Sequence, residues 1–163
     1  MASTYTANIG IEKITSGEQA GTWGTTTNTN FDILDRAING VGSITLSGTS
    51  HTLTTSDGAV SEGGYKVLAL AGSPSGTNTI TISPNDQDKV YFVYNGSGQS
   101  AIFTQGSGGN VTVVNGSFKI IYADGAGSGA KVTDVTSSLD LASPRIAGTA
   151  VTSTAAELNL MDG

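Results

Sequence analysis

Between Tyr65 and Val135 the chain repeats one pattern: a short run with apolar residues at alternate positions, then a turn. The runs are Tyr65–Leu70, Thr79–Ser83, Lys89–Tyr94, Ala101–Thr104, Asn110–Val114, Phe118–Ala123 and Lys131–Val135. They recur about every ten residues, the spacing of all-β sandwiches and barrels. Each separator is built from Gly, Asn, Asp, Ser or Pro, the residues that favour turns. Asn95-Gly96 and Asn115-Gly116 predict two-residue hairpins. Lys89–Tyr94 is nearly all apolar, which predicts a central strand covered on both faces. Ser43–Leu46 and Thr52–Thr54 add two shorter strands upstream. The expectation for residues 41–135 is a small antiparallel β-sandwich, jelly-roll-like, with one face available to a trimeric contact.

Composition narrows what such a domain does. Charged residues are 12% of the chain and glycines number 23, against usual shares of about 25% and 7%. Aromatics are 6% and hydrophobic residues 37%. That supports a thin sandwich, or a core shared between chains, better than one deep core. The net charge is −6, and the seven basic residues are scattered, which argues against binding a phosphate backbone. There is no cysteine, hence no disulfide framework, thiolate chemistry or Cys-ligated zinc. No apolar run approaches the ~18 residues of a membrane helix, so no membrane insertion is expected. MASTYTANIG has neither a basic n-region nor an apolar h-region, which predicts a chain made and assembled in the cytoplasm of a cell.

The N-terminal 40 residues read differently. In residues 3–14 Tyr5, Ala7, Ile9 and Ile11 alternate with polar residues, as in a strand. Such an edge needs a partner: a second copy, another protein, or the downstream β-region. Residues 15–28 lack periodicity and are predicted to be a loop. It carries the one Trp, Trp23, between Gly21 and Gly24. A rigid aromatic on a flexible mount suits an interface anchor; the alternative is that Trp23 folds back onto a small local core. Residues 30–39 predict a helix with Phe31, Leu34 and Ile38 on one face. Thr29 and Asp32 suggest a capping box, Asp32 and Arg36 an i,i+4 pair, and Asn39-Gly40 a left-handed stop. Ten residues do not hold a helix alone in water, so this face must pack on something.

Residues 136–147 form a connector containing Pro144. In residues 148–163, Ser153 or Thr154 followed by Glu157 predicts a capped helical turn. Leu158, Leu160 and Met161 are its apolar points. The segment cannot bury them alone and reads as the start of a further unit.

No catalytic constellation emerges. Gly125–Ala130 resembles a phosphate loop, but a strand follows it where a helix would be needed. Asp86 and Asp88 could contribute to a calcium site, yet they also suit a solvated turn. His51 has no neighbouring His or carboxylate in sequence. No cofactor is expected, and the reading is of a non-enzyme.

Two end motifs carry a resemblance. Thr152–Gly163, TSTAAELNLMDG, is similar to a repeat common in bacteriophage tail fibres, with Leu160-Met161 replacing the usual Ile-Leu pair. GEQAGTWG from Gly17, followed by TNTNFDILDRAI, resembles the start of tail-fibre proteins of marine phages, cyanophages among them. Gly108–Gly127 is similar to the β-region that follows in those proteins. The resemblance implies a homotrimeric virion protein located in the tail fibre. Residues 1–40 would dock to a tail component (adaptor, nozzle or baseplate) through Glu18, Trp23, Phe31, Leu34 and Ile38. Residues 148–163 would begin a trimeric shaft around Leu158, Leu160 and Met161. Host recognition would belong to a distal tip not evident in this sequence. A second reading is a carbohydrate-binding sandwich with Tyr65, Tyr91, Tyr94 or Tyr122 stacking on sugar. Exposed aromatics would favour it, and aromatics buried between subunits would not.

Overall fold

A computed structural model describes residues 2–138, 145–146, 148–154 and 156–157. The segment expected to begin the shaft, with Leu158, Leu160 and Met161, lies outside the described residues.

The chain opens with a small hairpin, β1 (Thr4–Tyr5) against β2 (Glu12–Lys13), antiparallel with Thr4 opposite Lys13. The expected 3–14 strand thus folds back on itself. Gly10, at φ +65°, closes the turn with its amide on the Thr6 carbonyl. The hairpin tip rests on the β-region: the Gly58 amide donates to the Gly10 carbonyl at 2.7 Å, and Lys89 Nζ donates to the Asn8 carbonyl.

Helix α1 (Trp23–Asn39) starts seven residues earlier than the periodicity predicts, after Thr22, which makes no side-chain capping bond, rather than after Thr29. Thr29 lies inside it, its hydroxyl bonded back to the Thr25 carbonyl at 3.1 Å. The added turns are rich in threonine, which has little helix preference; Gln19 holds them at one end and the Asn30–Glu12 clamp at the other. Asn30 clamps β2 by donating to the Glu12 carbonyl at 2.8 Å and accepting from the Glu12 amide at 2.9 Å. Gln19 accepts the amides of Thr22 and Trp23 and the hydroxyl of Thr26. At the other end Gly40 is extended (φ −66°, ψ 135°), not left-handed. It is still required, because a Cβ there would sit 2.5 Å from the Arg36 carbonyl oxygen. Arg36 does not make the expected Asp32 pair. It donates to the Ser61 carbonyl at 3.0 Å and lies over the Tyr65 ring at 4.1 Å.

The strands lie close to their predicted positions: β3 (Val41–Leu46), β4 (Ser50–Thr54), β5 (Val67–Gly72), β6 (Asn78–Ser83), β7 (Asp88–Asn95), β8 (Ala101–Thr104), β9 (Val111–Val113), β10 (Phe118–Asp124) and β11 (Val132–Asp134). They form a two-layer sandwich. One sheet has five strands, β11-β10-β7-β5-β3, and the other four, β4-β6-β8-β9. The pairing corrects the antiparallel jelly-roll expectation. β3–β5, β5–β7, β4–β6 and β6–β8 are all parallel. From β3 to β8 the chain alternates between sheets, so each strand lies beside the one two before it. The result is a flattened coil with a step of about 25 residues, the size of a solenoid repeat. Antiparallel strands close one end, with β9 on β8 and the β10–β11 hairpin on β7.

The Asn-Gly pairs mark the corners of this coil, not hairpins. Asn95-Gly96 carries the chain from the five-stranded to the four-stranded sheet, and Asn115-Gly116 carries it back. Corners stack on one another: the Gly96 amide donates to Leu70, Gly116 to Asn95, and Ser75 to Gly48. Asn95 is fully buried and braces this column. Its Nδ2 donates to the carbonyls of Gln99 (2.9 Å) and Val113 (2.7 Å), and its Oδ1 accepts from the Ser97 amide (3.1 Å) and hydroxyl (2.8 Å).

Between the layers lies one core. Ile44, Leu46, Leu68, Leu70, Tyr91, Val93 and Ile121 face Leu53, Ile80, Ile82, Phe103, Val111 and Val113. The Tyr91 hydroxyl donates to the Gly63 carbonyl at 2.8 Å, satisfying its polar end within that core. Gly42 leaves room for Tyr65, whose ring would meet a Cβ there at 2.3 Å.

Strands β12 (Arg145–Ile146) and β13 (Thr149–Ala150) pair antiparallel. Beyond them Thr154 and Glu157 form the predicted capping box. The Glu157 carboxylate accepts the Thr154 amide and hydroxyl at 2.7 and 2.8 Å, and the Glu157 amide donates back to the Thr154 hydroxyl. Those bonds favour the ionised carboxylate and hold its pKa below the ordinary value.

Candidate functional site

Two apolar surfaces stand out, one on the helix and one on the five-stranded sheet. The helix buries Ile33 toward the body. At about 100° per residue, Trp23, Phe31, Leu34 and Ile38 share an arc of about 80° on another side. Trp23, Phe31 and Ile38 are 61–63% exposed and Leu34 is half-buried. The structure therefore brings four of the five predicted docking residues onto one open stripe. Trp23 is the first residue of the helix rather than part of a loop, and it does not fold back into a local core. Glu18 sits apart from the stripe, its carboxylate accepting the Ser3 hydroxyl at 3.0 Å.

Strand register builds the second surface. Alternate residues of the five-stranded sheet point away from the core. One row runs Ile120, Phe92, Val67, Val41 across four strands, and the next runs Phe118, Tyr94, Ala69, Ser43. Tyr122 opposite Val90 makes a third. Val41, Val90, Tyr94, Phe118 and Tyr122 are exposed, and Phe92 lies 6.4 Å from Phe118, centroid to centroid. Asp88 and Asp124 are paired at one end of this side, and the Lys66 ammonium lies 5.8 Å from the Phe92 ring centroid. The expectation that Lys89–Tyr94 is covered on both faces is overturned for the single chain: the strand is central, but its Val90 and Tyr94 face lies open.

The outer face of the four-stranded sheet is different. Its rows run Thr52, Thr81, Thr104 and Ser50, Thr79, Ile102, Thr112. One sandwich thus carries a hydroxyl-coated side and an aromatic side. Phe118, Phe92 and Ile120 had no place in the sequence reading of sites. The signal was present in FKIIYA, which is apolar at both parities, as only a strand covered on two sides should be.

The four tyrosines of the sugar-binding reading separate. Tyr91 is buried and Tyr65 packs on the core beneath Arg36, whereas Tyr94 and Tyr122 share the open face. His51 lies on β4 and meets Glu62 at 2.9 Å, a carboxylate that adjacency in sequence does not reveal. The Gly125–Ala130 loop is the β10–β11 hairpin, with the Asp124 carboxylate accepting the Ala126 and Lys131 amides. Among the described residues no group of three or more His, Cys, Asp or Glu could hold a metal ion, and no helix is long and apolar enough to cross a membrane.

Comparison with models of protein families, with curated proteins and with solved structures gives no match.

Proposed function

We propose that this chain is a structural attachment module, the N-terminal part of a homotrimeric phage tail fibre. In this reading residues 1–40 dock the fibre to a tail protein, the β-sandwich sets its girth, and residues 148–163 lead into a shaft. The supporting observation is the helix stripe: Trp23, Phe31 and Ile38 are large, apolar and exposed about two turns apart along one face of a helix already fastened to its own domain. Exposed Trp is among the side chains that most often carry the binding energy of protein interfaces. The resemblance of GEQAGTWG and TSTAAELNLMDG to tail-fibre segments gives the partner its class.

Trp23→Ala tests the anchor. The expected variant keeps the β-sandwich folded by circular dichroism but is lost from assembled tails. Normal incorporation would refute the docking role. The second reading, a carbohydrate-binding module, draws on the exposure of Tyr94 and Tyr122 on one sheet face. Titration with neutral oligosaccharides, read by tyrosine fluorescence, separates it from the first.

A further inference from the structure

We infer that the outer face of the five-stranded sheet is the surface through which copies of this chain pack on one another around a common axis. The inference rests on the homo-oligomeric reading above and assigns that reading a surface. The domain supplies its own comparison. Its four-stranded sheet shows what a water-facing side looks like in this chain, threonine in row after row. Its five-stranded sheet, of the same fold and size class, turns Phe118, Tyr94, Phe92, Ile120, Val90 and Tyr122 outward instead. Strands with apolar residues at both parities belong to sheets covered on two sides. The core covers one side of β7 and β10; on the other, Ile9 and Ala37 stand beside Val90 and Lys66 lies over Phe92, but no described strand or helix is layered across the Tyr94 and Phe118 end.

Three observations select a second copy as the cover. The first is relief. Aromatic side chains on β7 and β10 make a ridge, and Ala69 and Ala71 on β5 beside Ser43 and Thr45 on β3 make a trough. A ridge beside a trough lets the ridge of one copy enter the trough of the next, the head-to-tail contact that a closed ring repeats. The second is size. Tyr94, Phe118 and Tyr122, at roughly 150–250 Å² each, and the smaller Val41 and Val90 are 37–63% exposed and together present on the order of 400 Å² of apolar surface. The half-buried Phe92, Ile120, Val67 and alanines add roughly 100–250 Å² more, which brings the face near the ~600 Å² per partner at the lower end of stable interfaces. The third is polarity. A sugar platform pairs its aromatic plane with several groups placed to hydrogen-bond hydroxyls, and the central rows carry Ser43 and a phenol, with the Lys66 ammonium 5.8 Å from the Phe92 ring centroid.

The test is light scattering coupled to size exclusion at micromolar concentration, on the full chain and on Phe118→Lys, Tyr94→Lys and Thr52→Lys, with circular dichroism for fold. Phe118 and Tyr94 are 53% and 47% exposed, so lysine at either position leaves the core untouched. The expected result is a wild-type particle of three times the 16.4 kDa chain mass, folded monomers for Phe118→Lys and Tyr94→Lys, and an unchanged oligomer for Thr52→Lys on the hydroxyl-coated side. If both sheet-face variants keep the wild-type mass, the surface assignment is wrong and the oligomeric reading survives. A monomeric wild type overturns both. A monomer whose Tyr94 responds to a neutral oligosaccharide hands the face to sugar.

Discussion

Asn95→Asp is nearly isosteric, yet it should weaken this domain more than most core truncations of similar size. Asn95 is 0% exposed and donates through Nδ2 to two carbonyls, Gln99 and Val113, while Oδ1 accepts twice from Ser97. A carboxylate keeps the accepting side and loses the donating one. Two donated bonds are worth about 1 kcal/mol each, and a buried acceptor left unpaired costs about 1–3 kcal/mol. The introduced charge faces carbonyl oxygens without a cation near it, a further penalty of burial. The total is roughly 3–5 kcal/mol against a typical domain stability of 5–15 kcal/mol. The penalty should depend on pH. Burial raises the introduced carboxyl's folded pKa above its unfolded value of about 3.9, so the loss is least below about pH 4 and grows as pH rises. Asn115→Asp is the control: its Oδ1 accepts from the Gly98 amide at 2.8 Å, a role a carboxylate keeps. Urea denaturation followed by circular dichroism at about pH 4 and pH 7 measures both. If Asn95→Asp stays within about 1 kcal/mol of wild type at pH 7, the corner-brace argument fails.

Gly42→Ala should destabilise by about 1–3 kcal/mol through overpacking. The new Cβ would meet the Tyr65 ring at 2.3 Å, and Arg36 stacked above restrains that ring from moving away; an unchanged melting temperature would show that the ring can shift. Stability should also bend with pH in the alkaline range. Burial lowers the Lys89 pKa from 10.5 to about 8, against the opposing pull of Asp88. Between those values the unfolded chain holds more protons, so stability rises with pH. Burial raises the Tyr91 phenol above its ordinary 10.0. Above about pH 10 the folded chain holds more protons, and stability falls. Lys89→Met should flatten the rise and Tyr91→Phe the fall in urea titrations; a wild-type curve sloping the other way in either range contradicts the assignment.

Strand positions were legible because alternation is a local property, and β8 falls on Ala101–Thr104 as predicted. Pairing was not. A Gly- or Asn-rich turn that returns a strand beside its neighbour uses the same residues as one that carries it to the opposite sheet. Only the register of Val41 with Val67, and of Val67 with Phe92, distinguishes a coil from a meander. The helix start was hidden for a related reason. The bonds from Asn30 to Glu12 span 18 residues and the Gln19 side chain reaches Thr26 from ahead of the helix, so no window over TWGTTTN contains them. For the residues proposed to dock, periodicity placed Phe31, Leu34 and Ile38 on one face of the helix but could not tell an inward face from an outward one. Ile33, the residue that anchors the helix to its domain, stood outside that pattern.

The parallel coil also sets how this domain can change length. A single residue inserted into β5 would turn Leu68 and Leu70 outward and Val67 and Ala69 inward, because side chains alternate with a period of two. A whole coil of about 25 residues adds one strand to each sheet, extends the column of stacked corners by one, and leaves every existing neighbour in register. The antiparallel strands β9, β10 and β11 terminate the stack at one end whatever its height. Such a domain is therefore quantised: it lengthens or shortens in whole coils placed between the helix and the terminal hairpins, and each added coil widens the aromatic side and the threonine side by one strand apiece.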